Sequence, residues 1–521
     1  MLRTLAPLLI ITWFLVGSHD AAGQTPATPD SALEAILSSI EGTNMSLSTA
    51  VEHALNNATS VRKAEAVYLA AAGSVRREAG FFDPELFFNL NYQDLEQPTA
   101  SFFAGAPILT TTQTTSQGGL RLDLPIGTSL EASLSTISLR SNSQFAFLNP
   151  QHTAFGSLSI RQPLLGGFAA SARKALTSAE RGMQAMKARY DQEVLAIRSE
   201  VERSYWDLYA AERDYAVQAL TRDRGEAFLK ETELRAKAGL VGPNQTASAR
   251  TFLAEQQLLL LEREEQLDRA SDLLSSLIGA RPPDGAERFV TIDEPPGDFP
   301  LEPADSLVKY ALRNNLDLQA AREDVESLRA LSHAAGWEAL PSVDLVGSLG
   351  GSGLAGAAQD VIFGTDTLRS NRAGTFSDAL RQVGKREFPA WSIGVEVSVP
   401  IGFRSGLGET DRLEAEVIYA EQRVLEQARS LEERVRTSYR ELVHGKRRLQ
   451  AAREGVEAAQ EQVRIGLIEY RNGRTTAFEL VRLGADFAVT QQRYSQALVR
   501  TAKAAATLRQ LTSGVYGNAG N

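Results

Sequence analysis

The sequence predicts a mixed α+β membrane protein, in which a long coiled-coil α-helical barrel is continuous with a transmembrane β-barrel and the chain consists of two internal structural repeats. Three observations lead to this fold class. Landmark residues occur in the same order in both halves of the 521 residues. Two long segments carry a seven-residue apolar repeat, and shorter runs between paired prolines alternate apolar with polar residues. Helices are therefore expected to form most of the chain, with strands inserted once in each half.

Residues 1–23 are predicted to be a secretory signal peptide. Arg3 precedes an apolar run at residues 5–16, and the small residues at 21–23 mark a cleavage site. An N-terminal anchor helix is the alternative, but the run is shorter than the ~20 residues that a bilayer core requires. Residues 24–45 are interpreted as an N-terminal extension. The chain has no Cys, so we expect its folded form to be stabilised by packing alone.

A duplicated unit follows this extension. Residues 47–84 align without a gap on residues 304–341, and residues 201–257 align on residues 435–491. Ordered matches of this kind indicate an old duplication. The predicted organisation is a first repeat, a linker or equatorial segment, a second repeat and a C-terminal tail, at residues 46–279, 280–303, 304–513 and 514–521 respectively.

Long helices are predicted from a coiled-coil seam in each repeat. The seam residues recur at alternating steps of three and four. They include Val194, Ile197, Val201, Ser204 and Leu208 in the first repeat, and Leu431, Val435, Ser438 and Leu442 in the second. We expect helices at about residues 169–238 and 408–472, each roughly 100 Å long. A strict seven-residue period implies left-handed supercoiling against neighbouring helices.

Strands are predicted between two pairs of prolines, Pro84 with Pro163 and Pro341 with Pro400, which are interpreted as strand/helix junctions. Six runs alternate apolar with polar or small residues: 86–92, 119–124, 129–139 and 157–163, then 342–349 and 391–400. Alternation over about ten residues is typical of a membrane-spanning strand, although a strand of a soluble sandwich shows the same pattern. Segments 96–116 and 350–389 are rich in Gly, Ser and Thr and are expected to be surface loops.

The first repeat contains two more alternating runs than the second. We expect the extra pair to extend above the membrane as a surface hairpin; the alternative is one long strand kinked at Pro125. Two strand pairs per chain leave open sheet edges, which a bilayer does not tolerate. An oligomer in which identical chains share one barrel would pair both edges.

Composition and motifs argue against an enzyme or a nucleic-acid-binding protein. The net charge of -10 gives no basic footprint for nucleic acid. None of the five His has a second ligand at metal-binding spacing, and no Ser, His and Asp order stands out. We therefore predict no catalytic residue, no metal site and no cofactor.

The order of the segments resembles the TolC-type outer-membrane efflux factors over about residues 47–513. The resemblance rests on LSTAVEHALNN, a first Pro, strands, QPLLGGF or SVPIGF, a heptad helix with SYWDL or SYREL, and RAKAGLVGPNQTASAR or YRNGRTTAFELVRL. It implies a homotrimer whose barrel has twelve strands, four from each chain, in contact with outer-membrane lipid. It also implies a helical tunnel that extends from the cell outer membrane into the periplasm.

The resemblance further implies the outer-membrane channel of a tripartite efflux or type I secretion system. An inner-membrane pump or ABC transporter and a periplasmic adaptor (membrane fusion protein) would deliver the substrate, and the channel would give it a passive exit. Drugs, metals and proteins remain open as cargo. The alternative is a periplasmic coiled-coil scaffold or adaptor protein without a pore, for which one long helical hairpin is expected rather than two units interrupted by strands.

Two glycines are predicted at the turns where the long helices reverse. Gly239 and Gly473 suit these positions because a helix C-cap takes up positive φ at low cost with Gly. The resemblance implies that these turns, with Leu240 and Val241 beside the first, are where the adaptor docks.

The resemblance also implies a gate at the second turn, formed by Tyr470, Arg474, Glu479 and Arg482. Glu479 keeps the charge of one acidic family position, whereas Arg482 reverses the charge of another. Three copies of Glu479 around an axis would form an acidic ring, and Arg482, one turn away, is expected to pair with it. The matching acidic position in the first repeat is Gln245.

Overall fold

The computed structural model describes residues 29–283, 286–299, 301–472, 474–514 and 516. The predicted signal peptide at 1–23 lies outside the described residues, as do the first part of the predicted N-terminal extension and the end of the predicted C-terminal tail. Gly473, predicted at the second turn, also lies outside them. Among the described helices, none combines the length and the apolar character needed to cross a membrane.

The chain alternates helices and strands in a fixed order. From the N-terminus, the elements are α1 (Pro29–Ser39), β1 (Thr43–Met45), α2 (Leu47–Asn57), α3 (Thr59–Ala79), β2 (Glu85–Pro98), β3 (Ile108–Asp123), β4 (Ser129–Ser141), β5 (Leu148–Leu165), α4 (Ala170–Lys237) and α5 (Pro243–Ile278). They continue with β6 (Phe289–Thr291), α6 (Ala304–Asn314), α7 (Leu316–Glu338), β7 (Ser342–Ala358), β8 (Asp360–Phe363), β9 (Asp366–Arg369), α8 (Phe376–Lys385), β10 (Phe388–Ser398), α9 (Arg404–Arg471) and α10 (Ala477–Leu511). Helices form most of the described chain.

The helices pack side by side in one layer. α4 and α9 have 68 residues each, which gives each a length of about 100 Å, as the heptad pattern predicts. Next to the strands the row is α3, α4, α7, α9; toward the opposite end it is α5, α4, α10, α9. The seam residues Val201, Leu208, Val435 and Leu442 are at most 1 % exposed, so the predicted seams do form the helix contacts.

Short polar side chains begin several of these helices. The Ser46 hydroxyl accepts the Thr49 N–H at 3.1 Å at the start of α2. Asn315 separates α6 from α7, and its side-chain oxygen accepts the Leu318 N–H at 3.1 Å. These caps satisfy N–H groups that lack an intrahelical partner. α5 ends at Gly279, whose φ is +64°, a left-handed C-cap.

The segment predicted as a linker is attached to the middle of α4. β6, within residues 280–303, pairs in parallel with β1. The buried Tyr205 hydroxyl donates to the carbonyl oxygen of Met45 at 2.9 Å and accepts from the N–H groups of Ile292 and Asp293, each at 3.1 Å. Glu212, about two helical turns further along α4, accepts the Thr291 N–H at 2.7 Å. We call this assembly of β1, β6 and residues 205–212 the clasp.

Six strands form one antiparallel sheet in the order β10-β7-β5-β4-β3-β2. Each of the six predicted alternating runs falls on one of these strands, although 119–124 extends one residue past β3 and 391–400 extends two residues past β10. The predicted loops are wrong in extent: residues 99–107 alone separate β2 from β3, and most of 350–389 belongs to β7, the β8–β9 hairpin and α8. Residues 110–119 read TTTQTTSQGG and residues 350–358 read GGSGLAGAA, so the composition is that of a loop although the backbone forms strands.

The number of strands per chain also differs from the expectation. The family resemblance implies four, whereas β3 and β4 lie inside the sheet between β2 and β5 and raise the number to six. The kinked strand at Pro125 is wrong, because residues 124–128 form a turn in which the Gly127 N–H donates to the Leu124 carbonyl oxygen at 2.8 Å. The extra pair that was expected as a surface hairpin belongs to the same sheet, because β3 and β4 pair with β2 and β5 along most of their length.

The sheet has one apolar and one polar face. Directly paired residues share a face, and one face exposes large apolar side chains on every strand: Leu86, Phe88 and Leu90; Leu120; Leu134; Leu158 and Ile160; Leu345 and Leu349; Trp391, Ile393, Val395 and Val397. The opposite face carries mainly Asn, Gln, Ser and charged residues, with Leu95 and Phe155 exposed among them. α8 covers the apolar-face side of the sheet at its far end, where Ala379 packs against Ala154 and Ala355.

Candidate functional site

The first turn lies at the end of the helical layer remote from the sheet, between α4 and α5. Gly239 has φ +71°; its N–H donates to the Ala236 carbonyl oxygen at 3.0 Å, and the Leu240 N–H donates to the Arg235 carbonyl oxygen at 2.9 Å. This pair of hydrogen bonds forms a Schellman-type C-cap. It leaves the Leu240 side chain 75 % exposed. An apolar side chain in this position is suited to contact with another protein.

The second turn joins α9 to α10 at the same end. Tyr470 lies in the last turn of α9 and is 38 % exposed. The Arg474 N–H donates to the Glu469 carbonyl oxygen at 2.9 Å. Thr476 then caps α10 by accepting the Glu479 N–H at 3.2 Å. We call the two turns, with the helix ends beside them, the tip.

Glu479 and Arg482 form an ion pair on the first turns of α10. The Arg482 Nε donates to Glu479 Oε2 at 3.1 Å. The hydrogen bond from Arg482 lowers the pKa of Glu479, and the bond to Glu479 raises the pKa of Arg482. Both side chains face solvent in the single chain, at 39 % and 56 % exposure. Exposed pairs of this kind contribute little to stability, so a role for the pair has to lie elsewhere.

A cavity of about 590 Å³ lies between the two turns. Phe228 and Phe252 form its apolar part. Gln245 from the first turn and Arg482 from the second line its polar part. Gln245 of the first half and Arg482 of the second therefore line one space, which Glu231 and Arg235 of α4 line as well.

A half-buried cation, Arg224, lies farther along the helices and was not identified from the sequence. Burial lowers the pKa of its guanidinium, and its Nη1 forms no hydrogen bond within the described part of the chain. A Cβ added to Gly484 would lie 2.5 Å from that nitrogen, so the Gly leaves space for the Arg. Nothing in the periodic pattern distinguishes Arg224 from an exposed Arg.

Ion pairs also cross strands on the polar face of the sheet. Arg161 contacts Asp344, on β7, and lies 3.5 Å from Glu396, on β10. Near the other edge, Arg121 lies 3.1 Å from Glu131. Asp344 is buried beneath Arg161, whose own side chain is 57 % exposed. The polar face thus has the side chains of a water-filled surface.

The junction prolines mark the ends of the strands. Pro84, Pro341 and Pro400 lie between a helix and a strand, and Pro163 lies in the last residues of β5. No group of three His, Cys, Asp or Glu side chains among the described residues is arranged to hold a metal ion.

Comparison with known proteins finds sequence similarity over parts of the chain. The family profile described as outer membrane efflux protein matches residues 307–514. Nodulation protein T of Rhizobium leguminosarum bv. trifolii is 24% identical over 338 residues, which cover 64% of this chain and 66% of that protein.

Solved structures share the fold over nearly the whole chain. The Campylobacter jejuni CmeC outer membrane channel aligns with a TM-score of 0.62 and 13% identity, over 99% of this chain and 96% of that chain. The outer-membrane channel OprN aligns with a TM-score of 0.59 and 16% identity, over 96% and 99%. The open-state MtrE outer membrane channel of Neisseria gonorrhoeae aligns with a TM-score of 0.59 and 16% identity, over 90% and 89%. The chain is thus similar in sequence to the outer membrane efflux protein profile over residues 307–514, and it shares the fold of solved outer-membrane channels over nearly its whole length.

Proposed function

We propose that this protein is the outer-membrane channel of a tripartite efflux or type I secretion system. Three chains form a homotrimer, in which the sheets close one barrel in the cell outer membrane and the helices form a tunnel into the periplasm. A periplasmic adaptor and an inner-membrane pump or ABC transporter load the tunnel. Substrates leave by diffusion, and the channel itself carries out no chemical step.

The observation that supports this function most directly is the two-faced sheet on the helical layer. One face exposes apolar side chains on all six strands, and the other carries ion pairs. A sheet with open edges in lipid must close on itself or on copies, which places the polar face around water. The adjoining helices, about 100 Å long, are far longer than a compact domain of this size needs.

Fractionation and conductance test this function together. We expect the protein in the outer-membrane fraction, with an electrophoretic mobility that changes on heating as barrels unfold, and ion conductance after reconstitution into planar bilayers. Recovery of the folded chain in the soluble periplasmic fraction would instead support a scaffold or adaptor without a pore and would contradict the proposal.

The two halves are further proposed to be repeats of one unit, at residues 46–279 and 304–513. Equal element lengths support this: α2 and α6 have 11 residues each, and α4 and α9 have 68 each. Two units whose long helices are equal in length give a pseudo-symmetric tunnel wall. The equatorial segment between the halves would then be the clasp rather than a free linker.

The gate is proposed at Tyr470, Arg474, Glu479 and Arg482. In a trimer, three Glu479–Arg482 pairs surround the axis, and each Arg holds its neighbouring carboxylate in place across the opening. Replacing Glu479 and Arg482 together by Gln removes these pairs and should raise the conductance of the closed channel.

The matched control for the gate is Glu461 and Arg464 on α9, an ion pair of the same spacing that lies away from the turn, with Nε–Oε2 at 2.7 Å. Replacing that pair by Gln should leave the conductance unchanged. Equal conductance of the gate variant and the unaltered channel would eliminate the gate hypothesis.

Adaptor docking is proposed at the two turns, at Gly239, Leu240, Val241 and Gly473. The exposed Leu240 supports this, because an apolar residue at a turn tip is available to a partner. Leu240→Ser should lower efflux in cells that contain the cognate adaptor and pump, with unchanged conductance of the reconstituted channel. Equal losses in both assays would indicate a folding defect instead.

A further inference from the structure

We infer that the β3–β4 hairpin is part of the membrane-spanning wall, so that a trimer of this chain closes a barrel of eighteen strands, six from each chain. The inference rests on the proposed channel function and changes its dimensions. It concerns how the edges of one chain meet those of a second copy and what width of pore results.

The hairpin spans the whole height of the sheet. Its turn at residues 124–128 lies beside the start of α4: the Ala169 N–H donates to the Ile126 carbonyl oxygen at 3.2 Å. A Cβ on Gly127 would lie 2.6 Å from the Gly167 carbonyl oxygen. β3 has 16 residues and β4 has 13, more than the ~9–11 residues that cross a bilayer. The hairpin therefore starts and ends at the far end of the sheet, and its turn reaches the level where the helices meet the strands.

The hairpin turn repeats a junction motif of the second half. Residues 124–127 read LPIG, and residues 399–402 at the end of β10 read VPIG. Gly127 and Gly402 both have positive φ, +90° and +94°. Since the second motif lies where the chain leaves the sheet for α9, the first marks the same boundary of the membrane.

The hairpin also keeps the two-faced pattern of its neighbours. Leu134 on β4 lies opposite Gly118 and Gly156 on the apolar face and is 41 % exposed. Ser135, the next residue, pairs with Gln117 on the polar face. A hairpin in water above the membrane has no need for an apolar face continuous with that of β2 and β10.

The two edges of the sheet suit each other. β2 and β10 run in opposite directions, since each pairing in the sheet is antiparallel and five pairings lead from β10 to β2. Both expose large apolar residues on the same face, such as Phe88 at 70 % and Trp391 at 74 %. β10 of one copy can therefore pair antiparallel with β2 of the next, with apolar residues outward and polar residues inward.

The width of such a barrel fits the helical tunnel. Strands about 4.8 Å apart and tilted by about 40° give a backbone diameter of about 36 Å for eighteen strands and about 24 Å for twelve. Four helices per chain with axes about 9.5 Å apart give a ring of twelve helices about 36 Å across. Six strands per chain thus continue the tunnel without narrowing, and the tip becomes the narrowest part of the pore.

Spin labels on single Cys residues test the position of the hairpin, since the natural chain contains no Cys. In the trimer in lipid, we expect a label at Leu134→Cys to be accessible to oxygen and protected from a water-soluble nickel chelate. A label at Ser135→Cys should show the reverse. Ile393→Cys on β10 is the reference for a lipid-facing position.

The outcomes separate the inference from the function on which it rests. If the Leu134→Cys and Ser135→Cys labels are both accessible to nickel while the Ile393→Cys label is protected, the hairpin lies outside the membrane and the inference is wrong. If the Ile393→Cys label is also accessible, the proposed membrane function fails. Electron cryomicroscopy of the unaltered trimer in nanodiscs gives the strand count without any substitution: eighteen supports the inference, and twelve overturns it.

Discussion

Replacing Tyr205 by Phe should open the clasp locally without disturbing the packing of α4. The hydroxyl accepts the Ile292 and Asp293 N–H groups and donates to the Met45 carbonyl oxygen. Phe fills the same space, so the substitution removes polar contacts alone. Tyr205 is completely buried, and water cannot replace the missing hydroxyl.

The loss of stability depends on which of the hydroxyl's former hydrogen-bond partners keep another partner. The Ile292 N–H keeps a second acceptor, the Met45 carbonyl oxygen at 3.3 Å. The Asp293 N–H loses its acceptor, and a buried unsatisfied donor costs about 1–3 kcal/mol. With the lost hydrogen bond to Met45, we expect a total of roughly 2–3 kcal/mol.

Hydrogen exchange measures this cost at the clasp itself. A loss of that size should accelerate exchange of the amides at 289–293 by roughly 30- to 150-fold, provided that they exchange through local opening. Tyr190→Phe on the same helix is the control: its hydroxyl forms no hydrogen bond within the described ranges, and its ring stacks on Tyr68 at 6.3 Å. Less than threefold acceleration for Tyr205→Phe would refute the assignment of the hydroxyl as the main support of β6.

Three further changes test the clasp, the first turn and the new hairpin. Burial raises the pKa of Glu212 to about 7. The free energy of unfolding should therefore fall by up to about 3 kcal/mol between pH 4.5 and pH 7, as the buried carboxyl loses its proton. Glu212→Gln should flatten this pH dependence in thermal unfolding, and an unchanged slope would contradict the assignment. Gly239→Ala should cost about 1 kcal/mol at positive φ and accelerate amide exchange at the end of α4 roughly fivefold. Gly242→Ala, at the N-cap of α5 with φ -83°, should leave amide exchange at the end of α4 unchanged; equal effects there would refute the strain argument. Deleting residues 108–147, so that β2 joins β5 directly, should give a narrower barrel by electron cryomicroscopy; an unchanged diameter would contradict a wall that includes β3 and β4.

The sequence predicts individual elements well because their signals are local. A seam such as Val201, Ser204 and Leu208 indicates a helix and its buried side without reference to the rest of the chain. Alternation likewise locates all six strands of the main sheet. It does not show which strands are neighbours, since a period of two specifies a face and not a partner.

Neither the place of β3 and β4 inside the sheet nor the clasp was predicted, for this reason. The Pro125 to Gly127 turn has a sequence signal, because a Pro followed by Gly between alternating runs favours a hairpin over a kink; the match of LPIG to VPIG strengthens it. The clasp has no comparable signal. Tyr205 and Asp293 contact each other although they are 88 positions apart in the chain, and neither side chain differs in pattern from an ordinary helix or loop residue.

The two halves differ in their strands, where an insertion does not move one turn of the tip relative to the other. Adding residues to α4 alone would displace one turn from the other by about 1.5 Å per residue, and both long helices have 68 residues. A hairpin, by contrast, returns to the side of the sheet from which it starts, so β3 and β4 can be added without changing the height of any helix. Insertions in the strands therefore change the width of the barrel, while the helices keep both turns at one level, where a partner can contact them together.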